Sequence, residues 1–287
     1  MKIHSPAWHD HMYNNRARVA DFAEQLALWS RASIQARERL PHREWAYGPG
    51  PLDTLDVFPA PGPKAPVVVF IHGGYWRSMD KRDHSFVAEP LHALGACTVV
   101  VNYDLCPGSS AQPVSVPHIA LQMTRALAWV WQHMDELDGD RSRLHVMGHS
   151  AGGHLAAMLL GCHWPAVHAG LPRQVLRSAL SISGLFDLGP IRRTPFLQTD
   201  LRLTPAQVKK ASPALWPAPQ RGRLMSVVGG DETEEFVRQH ALIQAAWGRR
   251  AVPHTEVLPG LNHFSILSEW TRPGSRLNAL AAQCLSL

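Results

Sequence analysis

Short runs built almost wholly of Val, Ile and Leu recur along this chain, with helically spaced stretches between them. "VVVFIHGG" (67–74), "CTVVVNYDL" (97–105) and "RLHVMGHS" (143–150) are the clearest, and "SALSISGLFDL", "LMSVVGGDE" and "HTEVLPGLNHF" continue the series. A strand apolar at every position, rather than at alternate ones, must be covered on both faces. The segments between supply that cover: "KRDHSFVAEPLHALG", "VSVPHIALQMTRALAWVWQHM", the alanine- and leucine-rich stretch from Ala151, and a helix near 234–247. The order strand, helix, strand predicts an α/β chain with a mostly parallel central sheet and helices on both faces. With 287 residues and 45% apolar content, a single domain spanning 1–287 can bury such a core.

In open parallel sheets the chemistry collects just beyond the carboxyl ends of the strands. Those positions hold His72-Gly73-Gly74-Tyr75-Trp76, Tyr103-Asp104, His149-Ser150, Asp187, Asp231-Glu232 and Asn262-His263. Ser150 lies in Gly-x-Ser-x-Gly between a strand and a helix, the setting of a nucleophile elbow; a serine that merely caps a helix is the plainer alternative. Its potential partners follow in the chain order serine, acid, histidine. His263 can take the serine proton because imidazole titrates in the right range, and an acid can orient that imidazole. Backbone N–H groups of Gly73, Gly74 and Ala151 are the candidate oxyanion hole. One such donor is worth roughly 3 kcal/mol of barrier.

Composition narrows the alternatives. The net charge of +5 comes mainly from arginines that never form a block longer than two, so no nucleic-acid footprint is expected. The four cysteines, Cys97, Cys106, Cys162 and Cys284, show neither C-x-x-C spacing nor a disulfide framework. His149 and His154 are five residues apart, not the i, i+4 pair of a helical zinc site, so no metal and no cofactor are expected. No signal-like segment opens the sequence, and no apolar run approaches the ~18 residues of a membrane span. A cytoplasmic protein acting on a small molecule is the expectation.

"FIHGGYW", "VNYDLCP", "GHSAGGHLAAM", "SISGLFDLGPI" and "EEFVRQH…LNHFSIL" together resemble the kynurenine formamidase (arylformamidase) group of α/β-hydrolases, related to the hormone-sensitive-lipase-like esterases. The likeness runs from about residue 45 to 270, and "YNNRARV" resembles the N-terminal segment of bacterial members. The resemblance implies an α/β-hydrolase fold and a serine hydrolase that cleaves an N-formyl aryl amide or a small aryl or acyl ester. A promiscuous carboxylesterase is the neighbouring reading, and a non-catalytic binding protein on this fold the distant one. Glu232 matches the formamidase register, three residues before Glu235-Phe236, whereas Asp231 matches the lipase-like pattern; Glu232 is preferred, with Asp231 the alternative and Asp187 least favoured.

The resemblance also gives His72 a structural part in the oxyanion loop. Tyr75 and Trp76, directly after the oxyanion glycines, are candidates for the substrate pocket, with core packing the equal alternative. Residues 16–40 carry Val19, Phe22, Leu26 and Trp29 at helical spacing. With Trp8 and Trp45 nearby, residues 1–45 form a helical segment expected to contribute a small cap. Dimers are common among related hydrolases, so a homodimer is admitted, although no interface is legible.

Overall fold

In the computed structural model, which describes residues 4–287, eight strands form one open sheet. They are β1 (Arg43–Ala46), β2 (Thr54–Phe58), β3 (Ala65–Ile71), β4 (Cys97–Val101), β5 (Gly139–His149), β6 (Ser178–Ile182), β7 (Arg223–Gly229) and β8 (His254–Leu258). The spatial order is β1-β2-β4-β3-β5-β6-β7-β8, with β1–β2 and β2–β4 antiparallel and every other neighbour pair parallel. This is the α/β-hydrolase fold.

Strand periodicity divides the core into two layers. Val67, Val69 and Ile71 point to one face of β3, into the core layer that the helices Val116–Gln132, Ala151–Leu160 and, farther along the sheet, Glu234–Ala251 cover. Val68 and Phe70 point to the other, against Trp29 of the helix Phe22–Arg39, Phe86 and Leu91, and Leu277 and Leu280 of the C-terminal helix. Each large side chain removed from water in this way contributes about 1.5–3 kcal/mol.

The N-terminal stretch departs from a single continuous helix. Helices Pro6–Tyr13, Asn15–Arg18 and Phe22–Arg39 follow one another, and the side chain of Asn14 accepts from the Ala17 N–H to restart the chain after the first. The third is locked to the sheet by buried charge: Asp56 takes Arg37 at 2.6 Å and Lys81 at 2.5 Å, and Lys81 also reaches Glu44. Strand β1 carried no legible sequence signal. It is short and exposed, and Trp45 on it packs near Trp129 rather than over the strand ends. Between β6 and β7, short helices at Gly189–Arg192, Pro195–Leu201 and Pro205–Lys210 form an excursion that the apolar patterning does not forecast. Among the described residues no helix is long and apolar enough to cross a membrane.

Candidate active site

Ser150 sits in the turn between β5 and the helix Ala151–Leu160, with φ 56° and ψ −116°. That conformation is costly for a residue with a Cβ and persists only where the surroundings impose it. Two glycines let them do so. A Cβ on Gly148 would lie 2.3 Å from the Gly152 carbonyl oxygen, and one on Gly152 would lie 1.9 Å from that of Ile71. The turn is therefore clamped between its own helix and the end of β3.

The Ser150 hydroxyl donates to His263 Nε2 at 3.0 Å, and His263 Nδ1 donates to Glu232 Oε2 at 2.6 Å. The Glu232 side chain is fully buried. Its other oxygen accepts the Gly229 N–H at 2.9 Å and the hydroxyl of Ser183. Asp231 next door is exposed and makes no side-chain hydrogen bond. The Asp187 side chain accepts the Gly189 N–H, at 2.8 Å, and no imidazole. Of the three acids weighed from the sequence, Glu232 alone meets the imidazole.

The loop after β3 closes on the same spot. A Cβ on Gly73 would stand 3.2 Å from that of Ser150, so this backbone passes directly over the elbow. Gly74 has φ 102°, which turns the chain and lines the cavity. The N–H groups of Gly73 and Gly74, and that of Ala151 in the first turn of its helix, donate to nothing among the described residues. His72 braces this loop. Its Nδ1 donates to the Gly73 carbonyl at 2.8 Å and its ring stacks on Tyr103 at 4.2 Å, while the Tyr103 hydroxyl bonds the carbonyl oxygens of His72 and Gly73 at 3.0 Å. Burial pulls the His72 pKa down to about 4, so the ring is neutral. His149 and His154 are neutral for the same reason, and each spends its Nε2–H on a backbone carbonyl, of His263 and Ala211 respectively.

A cavity of about 240 Å³ opens above Ser150, small for a ligand pocket and suited to a small molecule. Tyr75 lines it, and its hydroxyl donates to the Tyr13 carbonyl at 2.8 Å. Trp76 does not. Its indole is 0% exposed in the core beneath the loop, edge-on to His154, so the pocket role expected of it is corrected to packing. Both residues have positive φ, 50° and 56°, and this turn sends adjacent side chains to opposite sides.

The N-terminal segment reaches the cavity through Tyr13, Asn14, Asn15, Arg16 and the buried Trp29, whereas residues 1–3 of the expected cap lie outside the described residues. Tyr13 is held by Glu235, which accepts its hydroxyl at 2.6 Å, and Thr233 bonds the Met12 carbonyl at 2.9 Å.

Known proteins share this arrangement of chain. The BD-FAE family model matches residues 55–163. The kynurenine formamidase of Salmo salar is 30% identical over 237 residues, covering 78% of this chain and 74% of that protein. The chain belongs to the kynurenine formamidase family. The esterase LipQ of Mycobacterium tuberculosis is 31% identical over 164 residues, 52% of this chain and 38% of its own. A crystal structure from Silicibacter sp. tm1040, of a protein ascribed a thioesterase activity, superposes with a TM-score of 0.82 at 28% identity, covering 97% of this chain and 98% of that one.

For this member of the kynurenine formamidase family, sequence reasoning overlooked Ser183, Arg77 and Phe196 near the site. Ser183 carries the one available signal, a polar residue directly after the run "SALSI". Arg77 and Phe196 come together from distant loops, the Arg77 guanidinium donating to the Phe196 carbonyl at 3.1 Å.

Proposed function

We propose that the protein is a cofactor-free serine hydrolase that cleaves N-formyl aryl amides, with Ser150 as nucleophile, His263 as general base and acid, and Glu232 as the orienting carboxylate. The observation that carries this reading is the unbroken hydrogen-bonded chain Ser150–His263–Glu232 beneath unengaged backbone N–H groups. Ser150 Oγ attacks the formyl carbonyl as its proton passes to His263 Nε2. Glu232 holds the imidazole in the tautomer with Nδ1 protonated and stabilises the imidazolium. The oxyanion forms where the Gly73, Gly74 and Ala151 N–H groups can donate to it. His263 then protonates the departing arylamine. Water enters, gives its proton to His263, and releases formate from the acyl-serine.

The formyl group is the smallest acyl group, and a cavity of about 240 Å³ walled by Tyr75, Phe196 and Phe264 favours a flat aryl leaving group. Four free cysteines suit a reducing compartment, which supports a cytoplasmic location. The small cavity points to a small-molecule partner rather than nucleic acid or membrane.

Two measurements test the reading. A fluorophosphonate probe should label the wild type and not Ser150→Ala. In a panel of N-formyl arylamines and short-chain aryl esters, the formyl amides should give the higher kcat/KM. Cleavage of esters alone would make the protein a carboxylesterase, the reading that the LipQ relation favours.

A further inference from the structure

The helix that begins beside Ser150 ends at Leu160, and a second cavity opens at that far end. Its 10 residues, at 1.5 Å of rise each, place the opening about 15 Å from the elbow. The cavity measures about 540 Å³, within the range of ligand pockets, and shares no lining residue with the one above Ser150. Its walls are the chain at 160–163, Arg173, and the turn 216–221.

Residues 161–186 and 201–230 contain no Asp or Glu, yet they carry Arg173, Arg177, Arg221 and Arg223. Scattered in sequence, these arginines are gathered by the fold. Arg177 directly precedes β6, and Arg223 opens β7 opposite Ser178, so both stand at the amino ends of the strands. The turn leading into β7 brings Arg221 to the same wall as Arg173 and His163. None of the four arginines has a carboxylate within salt-bridge distance among the described residues. Cations collected without an acid repel one another, and a bound anion relieves that repulsion.

The remaining wall is flat and stiff. Trp216 is half-buried, and a Cβ on Gly161 would stand 3.2 Å from its indole, so the glycine lets the ring lie close against the end of the helix. Pro217 and Pro219 restrict the backbone that follows. Ahead of it, the Pro213 carbonyl accepts both the Trp216 N–H and the Trp247 indole N–H at 3.0 Å, which anchors the turn to the helix Glu234–Ala251.

We propose that this cavity is a second ligand site, for an organic phosphate that carries a planar ring, the class of a nucleoside monophosphate. Guanidinium groups grip phosphate oxygens through paired, charge-assisted hydrogen bonds, and an indole face accepts any planar ring. The phosphate stands between Arg173 and Arg221, with His163 as a further donor, and the ring lies on Trp216. The site is independent of the reaction at Ser150.

Calorimetry with adenosine 5′-monophosphate, adenosine and inorganic phosphate tests it, at physiological ionic strength so that loose attraction to exposed charge is screened. The wild type should bind the monophosphate saturably and on the order of 10-fold more tightly than either part alone. The double variant Arg173→Gln/Arg221→Gln, at two exposed positions, should bind it no better than adenosine. Trp216→Ala should bind it no better than phosphate, and Trp216→Phe, which keeps a ring, should recover part of the difference. Thermal melts establish that each variant is folded. Arg16→Gln, in the wall of the other cavity, should leave the affinity unchanged. A wild type that binds the monophosphate no more tightly than its parts, or an affinity that survives the arginine double variant, overturns the site. Loss of binding in Arg16→Gln would place the nucleotide above Ser150 and overturn it equally.

Discussion

His149 donates its Nε2–H to the backbone carbonyl of His263, 2.9 Å away. The residue immediately before Ser150 thereby holds the main chain of the residue whose imidazole bonds the Ser150 hydroxyl, across 114 positions of sequence. Strand end β5 and the loop after β8 are thus set relative to each other by one hydrogen bond beneath the one between Ser150 and His263.

Replacing His149 by Phe keeps the ring but leaves the His263 carbonyl without its donor. We expect a loss of about 1–3 kcal/mol in stability. Turnover should fall on the order of 10- to 100-fold as the imidazole drifts from Ser150. His149→Gln, whose amide can still donate, should recover part of it. Steady-state kinetics with urea unfolding checks this, and a His149→Phe enzyme with wild-type kcat would exclude the bracing role.

The two adjacent acids should separate cleanly. Glu232→Ala removes the acceptor of His263 Nδ1 and should lower kcat by roughly 10⁴, as loss of an orienting carboxylate does. Asp231→Ala, on an exposed side chain without a hydrogen bond, should stay within about 2-fold of wild type. The reverse ranking would return the acid to Asp231.

Acid should unfold the protein well above the usual carboxylate range. Burial drives the pKa of His72, His145, His154 and His240 down to about 4, that of His84 to about 3, and that of His149 well below normal. In most of them one ring nitrogen is bonded and the other has no partner, so a second proton would be buried without an acceptor. Unfolded histidine titrates near 6.5. Below that pH the unfolded chain takes up protons that the fold refuses, so stability is complete above about 6.5 and is lost as pH falls toward 4. Each imidazole contributes up to about 1.4 kcal/mol per pH unit. Summed over these sites, the loss rivals the 5–15 kcal/mol of a typical domain. Circular dichroism should show cooperative unfolding between about pH 5 and 6; a native signal at pH 4.5 would contradict it.

Ser150→Gly should abolish probe labelling yet leave the protein as stable as wild type, or up to about 2 kcal/mol more so. Glycine tolerates φ 56°, ψ −116°, and relief of about 1–3 kcal/mol of backbone strain outweighs its greater unfolded-state entropy. Thermal melts of Ser150→Gly beside Ser150→Ala measure the difference. A Gly variant clearly less stable than the Ala variant would mean that the turn is not strained.

Much of the sheet and the elbow were legible because they are written locally. Unbroken apolar runs specify buried strands, and the glycines at 148 and 152 answer to backbone atoms less than 3 Å away. The acid was legible only to within two residues. Asp231 and Glu232 differ in which side of the turn after β7 they face, and that is fixed by the Gly229 N–H and the Ser183 hydroxyl, the latter coming from another strand. Core and pocket were equally open for Trp76 because neighbouring residues in a turn with positive φ diverge, and nothing in the residue types says which one enters the core. Tyr13 and Arg16 were beyond reach as individual site residues. Their places depend on tertiary bonds to Glu235 and Ser78, 222 and 62 positions away.

The segment carrying Tyr13, Asn15 and Arg16 rests on the hydrolase body through side chains, at Glu235, Thr233 and Ser78, and shares no strand with the sheet. Ser150, Glu232 and His263 stand at β-strand ends that the core holds fixed, while part of the cavity wall stands on a short stretch ahead of them. Substitutions in that stretch are therefore expected to change which molecules the cavity admits while leaving Ser150, His263 and Glu232 in place.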